Sequence, residues 1–387
     1  MGLTNLSTAS PVYLDCAATT PVDHRVAEEV LRLFVDDFGN AGSRTHTYGA
    51  TAQREVNIAR ERIASLLAAS PDEVFFTSGA TESDNIAILG LAAQGTREGR
   101  RHVVSTAIEH KAVLEPLARL SEKGFEVTLV SPDHQGYVSA DDVLGAVRRD
   151  TLLVSVMHAN NETGAVQPVA TIANGLDPVS GPYLHVDAAQ TFGRDEGALC
   201  HRRIDLVSIS GHKIFAPKGI GALLARRRGG RRPPLRPLMV GGGQERGLRP
   251  GTQPVPLIVG LGLAAHLAHA ERIERRAACE RIRAEALAAF APLKPTVHGN
   301  ATRGILPHVM SVALPGLDSE AVMVALKDVV ALSNGSACTS ASYAPSHVLS
   351  AMGLDEATVQ GTFRLSWSHN TPAVPWGRLV ERLAMLS

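Results

Sequence analysis

The chain is expected to be an α/β protein: a large unit built on a mostly parallel sheet flanked by helices, then a smaller α+β unit. Three observations carry this. Apolar, β-rich runs alternate with helical stretches through the first two-thirds of the sequence. After about residue 256 the texture changes to a long Ala/Arg/Glu helix ending near Ala291, followed by a mixed segment. The 387 residues, 44% hydrophobic and 20% charged, hold enough apolar material for sizeable cores.

Taken in order, "EVFFTSG" (73–79) is a short strand ending in a Gly turn, followed by the helical "TESDNIAILGLAAQG". "RHVVST", the helix "KAVLEPLARLSEKG", "EVTLVSP" and the helix "ADDVLGAVRRD" continue the alternation. "TLLVSVMHAN", "YLHVDAAQ" and "DLVSISGHK" add three buried-strand candidates. "RRRGGRRPPLRP" (226–237) is the one strong charge run and reads as a solvated turn or exposed hairpin tip broken by Gly and Pro, with a docking patch for an acidic partner as the alternative. The expected division is an N-terminal segment, 1–20, packing with the small domain; a large domain, 21–265; and a small domain, 266–387.

Composition narrows the function. Basic and acidic side chains number 38 each, so no net field draws the chain to nucleic acid or to an anionic membrane. Cys16, Cys200, Cys279 and Cys338 are widely separated and form no CxxC pair, which argues against a disulfide framework and a cysteine-based zinc site. No metal is expected. "MGLTNLSTASPVYLD" has neither a basic leader nor an apolar h-region, and "PLIVGLGLAAHLA" is too short and Gly-rich to cross a bilayer. A cytoplasmic protein without a membrane partner is expected.

In open α/β sheets, ligands gather at the carboxyl ends of strands, and three such ends carry unusual residues. Gly79, Ala80 and Thr81 lead from a strand into a helix, where free N–H groups and the Thr81 hydroxyl would cradle a phosphate; a tight turn with a Thr cap is the plainer reading. Asp187 closes an apolar strand, where it is a helix cap or a partner for a protonated heterocycle nitrogen, with Gln190 nearby. Ser210, Gly211, His212 and Lys213 close a third. A lysine at such a buried end would have a lowered pKa and serve as a Schiff-base former; Lys218, in a Pro-Gly turn, reads as a surface lysine. Phosphate cradle, buried acid and Schiff-base lysine are the three attachments that pyridoxal phosphate needs.

"TSGATESDN", "HANNETGAVQP", "HVDAAQ", "SGHKIFAPKG", "GGGQERGLRPGT" and "SNGSACTSAS", in this order from "VYLDCAATTP" to "FRLSWSHNT", resemble the motifs of the NifS/IscS-type cysteine desulfurases. The resemblance implies a fold-type I pyridoxal phosphate transferase with a mostly parallel seven-stranded sheet. It further implies a homodimer that takes sulfur from L-cysteine, leaves L-alanine and passes the sulfur to acceptor proteins. Lys213 would hold the cofactor, Asp187 its ring nitrogen, and Ala80, Thr81, Ser210 and His212 its phosphate. Gln190 and Asn161 would reach the ring oxygen or the substrate, and Thr252 would add a contact from the opposite subunit. His110 would stack on the ring and move protons, with a satisfied core histidine as its plain reading. Arg364 would clamp the substrate carboxylate, and Cys338 would attack the substrate sulfur as a thiolate and carry it as a persulfide. Gly335 and the small residues around Cys338 would leave that loop, about 333–346, mobile or parked away from Lys213. Cys16, Cys200 and Cys279 read as structural or bystander thiols.

Ala41-Gly42 and Asn334 depart from the general family pattern, as does "RLSWSHNT", and these variants are similar to the branch that supplies sulfur for DNA phosphorothioation; iron–sulfur assembly is the other use. Two other readings stand beside this one. A related pyridoxal phosphate enzyme, an aminotransferase or selenocysteine lyase, would not need this cysteine loop. A non-catalytic interaction protein would need neither Lys213 nor Asp187.

Overall fold

The computed structural model describes residues 10–335 and 345–386. Its strands are β1 (Val12–Tyr13), β2 (Val74–Thr77), β3 (His102–Thr106), β4 (Glu126–Val130), β5 (Thr151–Met157), β6 (Tyr183–Asp187), β7 (Leu206–Ser210), β8 (Gly221–Ala225), β9 (Thr296–His298), β10 (Val309–Ala313), β11 (Val330–Ala331) and β12 (Thr362–Ser366). Seven of them form the main sheet in the order β2-β8-β7-β6-β5-β3-β4. All seven residues of β5 are buried, as a strand covered on both faces must be, whereas the edge strand β4 exposes Glu126 and Leu129. One apolar cluster fills one side with Val56, Ile63 and Ile258; another fills a second layer with Phe75, Ile86 and Leu117.

The strand–helix alternation does not pick out β8. Its sequence, GALLA, has no β-branched or aromatic residue, and it follows β7 without a crossover helix. It runs antiparallel to both β7 and β2, as so short a connection requires. Because two reversals cancel, β2 still points the same way as β7, and its carboxyl end opens on the same edge of the sheet.

The expected single long helix is two, Val255–Ala270 and Arg272–Phe290, interrupted at Glu271. Glu271 accepts from Arg25 (2.6 Å) and Arg275 (2.8 Å) at the break. The first helix, apolar all round, packs against Thr47–Leu66 and His24–Val35. Gly262 permits that approach, since a Cβ there would lie 2.5 Å from Ala59 Cα. The second helix belongs to a separate apolar cluster around Phe290, Met310, Phe363 and Trp367, over the antiparallel sheet β12-β10-β9. N-terminal strand β1 joins this region by pairing in parallel with β11.

The basic run does contain an exposed turn, Gly229-Gly230 closed by the Arg228–Arg231 bridge, but several of its arginines are anchored. Arg226 is buried, donating to the carbonyls of Leu67, Leu199 and Ile204; Arg228 binds Asp205, and Arg227 and Arg232 bind Asp72. These arginines tie the end of β8 to neighbouring loops. No described helix is long and apolar enough to cross a membrane, and the described residues contain no metal-binding cluster of His, Cys, Asp and Glu.

Candidate active site

The carboxyl ends of β2, β5, β6 and β7 enclose a pocket of about 540 Å³. Beyond β2, Ser78, Gly79, Ala80 and Thr81 line it at the start of helix Ala80–Leu89; beyond β6 come Asp187 and Gln190, and beyond β7, Ser210, His212 and Lys213. His110, Asn161 and Arg364 complete the set. Ten of the sequence candidates therefore meet in one cavity. Thr252 does not: it is exposed, away from its own chain's pocket. Cys338 lies outside the described residues.

Lys213 ends a short 3-10 turn (Gly211–Lys213) directly after β7, and its half-buried side chain crosses to the N-terminal segment. There Nζ donates to the backbone carbonyls of Ala17 and Ala18, the latter at 2.7 Å. Gln190 Nε2 donates to the same Ala17 carbonyl at 3.0 Å, while its Oε1 is buried without a partner. The run Ala17–Thr19, unremarkable as sequence, is thus the resting anchor of the pocket's amine.

Asp187 is 6% exposed, and Oδ1 accepts from Ala189 N–H at 2.9 Å. Burial first, then repulsion from Asp84, pushes its carboxyl up to about 6. A cation placed against it would restore the charged form. His110 caps helix Lys111–Glu122: its Nδ1 accepts from Ala112 N–H at 3.1 Å, so the neutral ring carries its proton on Nε2. Burial, outweighing the pull of Asp187, holds it below the ordinary histidine range. His212 is pushed down to about 4 by burial and by Lys213 and Lys218, and its Nδ1 lies 3.1 Å from Thr19 Oγ1. Lys218, read from sequence as a surface lysine, is exposed yet stands on the rim of the pocket.

Arg364, on β12, is 2% exposed. Its Nη1 donates to Asn161 O at 2.8 Å, and Nη2 donates to Asp15 Oδ1 at 2.7 Å and Ser333 Oγ at 3.0 Å; Nε is buried and unpartnered. The clamp expected from sequence is therefore partly engaged already, with the Nε hydrogen and one Nη1 hydrogen left over. Asp15 and Ser333 were not read from sequence; the "YLD" triplet offers no chemistry until the fold brings it to a strand 349 residues away. Glu162, in "NNETG", was likewise missed. It accepts from Ser346 Oγ at 2.5 Å, and its side chain lies against Gly335, whose φ is +81°, so both described approaches to residues 336–344 converge on it.

These residues fit pyridoxal phosphate. A helix N-terminus and two polar strand-end residues offer donors to an anion at one end, a buried acid stands at the other, and an amine lies between. An orphaned Gln190 oxygen points to a missing polar partner. Fold and site together define a class-V aminotransferase, and the profile of that family matches residues 12–373. The chain is 43% identical over 363 residues to cysteine desulfurase IscS of Methylococcus capsulatus, covering 94% of this chain and 89% of that one. Among solved structures, DndA from Streptomyces lividans superposes with a TM-score of 0.81 at 51% identity, covering 92% of this chain and 99% of that one. SspA in complex with cysteine gives 0.79 at 38% identity, covering 94% and 99%. The chain belongs to the cysteine desulfurases of the class-V aminotransferase family, whose members depend on pyridoxal phosphate.

Proposed function

We propose that this chain is a homodimeric cytoplasmic enzyme that takes sulfur from L-cysteine, leaves L-alanine, and carries the sulfur as a persulfide on Cys338 to an acceptor protein. The observation that carries the reading is the meeting of Lys213, Asp187 and the Ala80–Thr81 helix start in one pocket. Bound there, pyridoxal phosphate supplies an electron sink for negative charge developing on the substrate. The chain does the rest. Backbone N–H groups of Ala80 and Thr81, with Ser210 and His212, hold the phosphate; Asp187 faces the ring nitrogen; Gln190 and Asn161 reach the ring oxygen or the substrate. Lys213, once released from the Ala17 and Ala18 carbonyls, is the base that moves the substrate's Cα proton, with His110 Nε2 beside it. Arg364 orients the substrate carboxylate, its unpartnered Nε being an available donor.

Cys338 is assigned as carrier partly by contrast. Burial pushes up the thiols of Cys16 and Cys200, and that of Cys279 to about 11, so none of the three is a ready nucleophile at neutral pH. Dimerisation is supported by the exposed side chains Leu31, Phe34, Val35 and Phe38 at the end of helix His24–Val35, and by Val240, 91% exposed before the Gly-rich run that leads to Thr252. Thr252 would then complete the partner subunit's phosphate site. The division of the chain at about residue 265 is part of this reading; it falls inside helix Val255–Ala270, and the break at Glu271 favours a boundary there instead. For the acceptor, the 51% identity to DndA favours the branch that the loop variants at 41–42 and 334 resemble, sulfur supply for DNA phosphorothioation, with iron–sulfur assembly the alternative. Neutral net charge suits an enzyme that hands sulfur to proteins and does not itself grip DNA.

Turnover of L-cysteine, followed as alanine and sulfide, tests the reading. Wild type forms both; Lys213→Ala forms neither and loses the visible absorbance of the cofactor–lysine linkage; Cys338→Ala binds cofactor and cysteine but releases no sulfide. Full activity in Lys213→Ala would remove the lysine from its role, and full activity in Cys338→Ala would remove the thiol from its own.

A further inference from the structure

One carboxyl in the pocket has no task in the proposed chemistry. Asp84, on helix Ala80–Leu89, is fully buried and lines the same cavity as Asp187. Neither of its oxygens has a hydrogen bond of good geometry, the Ser208 hydroxyl alone standing close enough to oppose the effect of burial; the nearest titratable neighbour is His185, whose Nε2 lies 3.4 Å from Oδ1. His185 precedes Asp187 by two residues on β6, so both side chains leave the same face of the strand. Its ring is fixed between Ser155 Oγ of β5, 2.8 Å from Nδ1, and Ser208 Oγ of β7, 3.0 Å from Nε2. Glu109 and His110 beyond β3, Lys213 beyond β7 and, lining the same cavity, His212, Lys218 and Arg364 are the other charged or titratable groups of this region. Strands β2 and β8, packed under the helix, bring none, and helix Lys111–Glu122, packed against it, carries Lys111 at its start.

A carboxylate buried with so few donors is costly, so the resting group holds its proton, for which the His185 ring offers an acceptor. Burial pushes Asp84 up to about 8 and His185 down to about 4, which leaves both neutral at pH 7. We propose that Asp84 is a positioning residue acting on the cofactor's ring nitrogen from beside Asp187: a reserve carboxyl, neutral while it keeps its proton, that supplies a second negative charge once that proton passes to water. The proposal rests on the reading that the ring nitrogen sits against Asp187. A second negative charge nearby favours the protonated nitrogen, so the nitrogen keeps its proton to higher pH than Asp187 alone would allow. The influence is mutual: a protonated ring nitrogen lowers Asp84 as much as charged Asp84 raises the nitrogen, so in the loaded enzyme Asp84 gains its charge at lower pH than the value of about 8 it has in the empty pocket.

Holoenzyme loaded with pyridoxal phosphate labelled with ¹⁵N in the ring reports this directly, because the nitrogen chemical shift distinguishes protonated from free pyridine. Wild type and Asp84→Asn, which keeps the shape of the protonated acid, are titrated from pH 6 to pH 11. Both are expected to show the protonated shift below pH 7, with cofactor affinities within about twofold of each other, and Asp84→Asn to lose it at least about one pH unit lower, a tenfold weaker hold on the proton. Superimposable titrations would overturn the proposal while leaving the Asp187 reading intact. So would an Asp84→Asn variant that loses cofactor affinity at pH 7 with an unmoved midpoint, since that marks a purely structural role. A wild type that never shows the protonated shift would overturn both.

Discussion

Arg364 shows how a single side chain is held ready. Its guanidinium is buried, and two of its nitrogens are spoken for by Asp15, Ser333 and Asn161. A two-pronged grip on a substrate carboxylate then requires a left-over hydrogen and a shift of one existing bond, which only a planar fork can offer. Arg364→Lys keeps the charge and loses the fork. It should raise KM for L-cysteine about tenfold or more, in line with the ~1.5–3 kcal/mol of a charged hydrogen bond, and leave cofactor affinity nearly unchanged; titrating cofactor and substrate separately checks this. Lys213 and Asp187 were legible in sequence because an ionisable residue among apolar neighbours at a strand end needs a reason to be there, whereas Arg364, in the middle of β12, came from the family resemblance. Asp15, Asp84 and Glu162 were not legible. Each sits in a run that reads as an ordinary turn or helix start, and each acquires its role only from groups far along the chain, as Asp15 does from Arg364.

Among elements, the segment "GGGQERG" is the clearest case of local rules overridden by a long-range contact. Glu245 and Arg246 both adopt left-handed backbone, with φ of +44° and +55°, a conformation that disfavours side chains. Buried Glu245 holds that shape: it takes a two-pronged bond from Arg60 at 2.8 Å, and its Oε2 accepts from Phe76 N–H on β2 at 2.9 Å. Arg60→Ala leaves a buried carboxylate unpaired and should cost about 3–5 kcal/mol of stability, measured by urea unfolding. The same competition explains what the sequence hid at this scale. Most strands of the main sheet were legible from apolar runs and turn signals, because burial on both faces writes itself into composition. Strand β8 was not, since GALLA reads as well for a helix as for a strand. Nor was the break at Glu271, because an Ala/Arg/Glu pattern continues through it and only the pull of Arg25 marks the stop.

At the scale of the whole molecule, two buried acids, Asp84 in the pocket and Glu109 beside His110, make the stability of the fold depend on pH. Burial pushes Asp84 and Glu109 each up to about 8, far above the value of an unfolded chain. Up to pH 8 and through it the folded protein gives up two protons that the unfolded chain released at pH ~4, so across pH 6.5 to 8 these two groups make stability fall as pH rises. Each group contributes up to about 1.4 kcal/mol per pH unit across that window. The buried histidines His158, His185, His212, His298 and His369, each pushed down to about 4, work the other way: the unfolded chain takes up protons on them as pH falls through about 6.5, so in the lower part of the same window they make stability rise with pH and offset part of the loss. Urea unfolding of cofactor-free protein at pH 6.5 and pH 8 isolates the Asp84 share: between the two pH values wild type should lose about 1–2 kcal/mol more than Asp84→Asn, and an equal change in the two proteins would contradict it.

The central claim, that one pocket uses this chemistry to load sulfur onto Cys338, is most directly tested by mass spectrometry of the peptide containing that residue after the holoenzyme meets L-cysteine without reductant. The account predicts one added sulfur atom on Cys338 in wild type and none in Lys213→Ala. Sulfur on Cys16, Cys200 or Cys279 with Cys338 unmodified, or alanine formed with no persulfide on any cysteine, would contradict it.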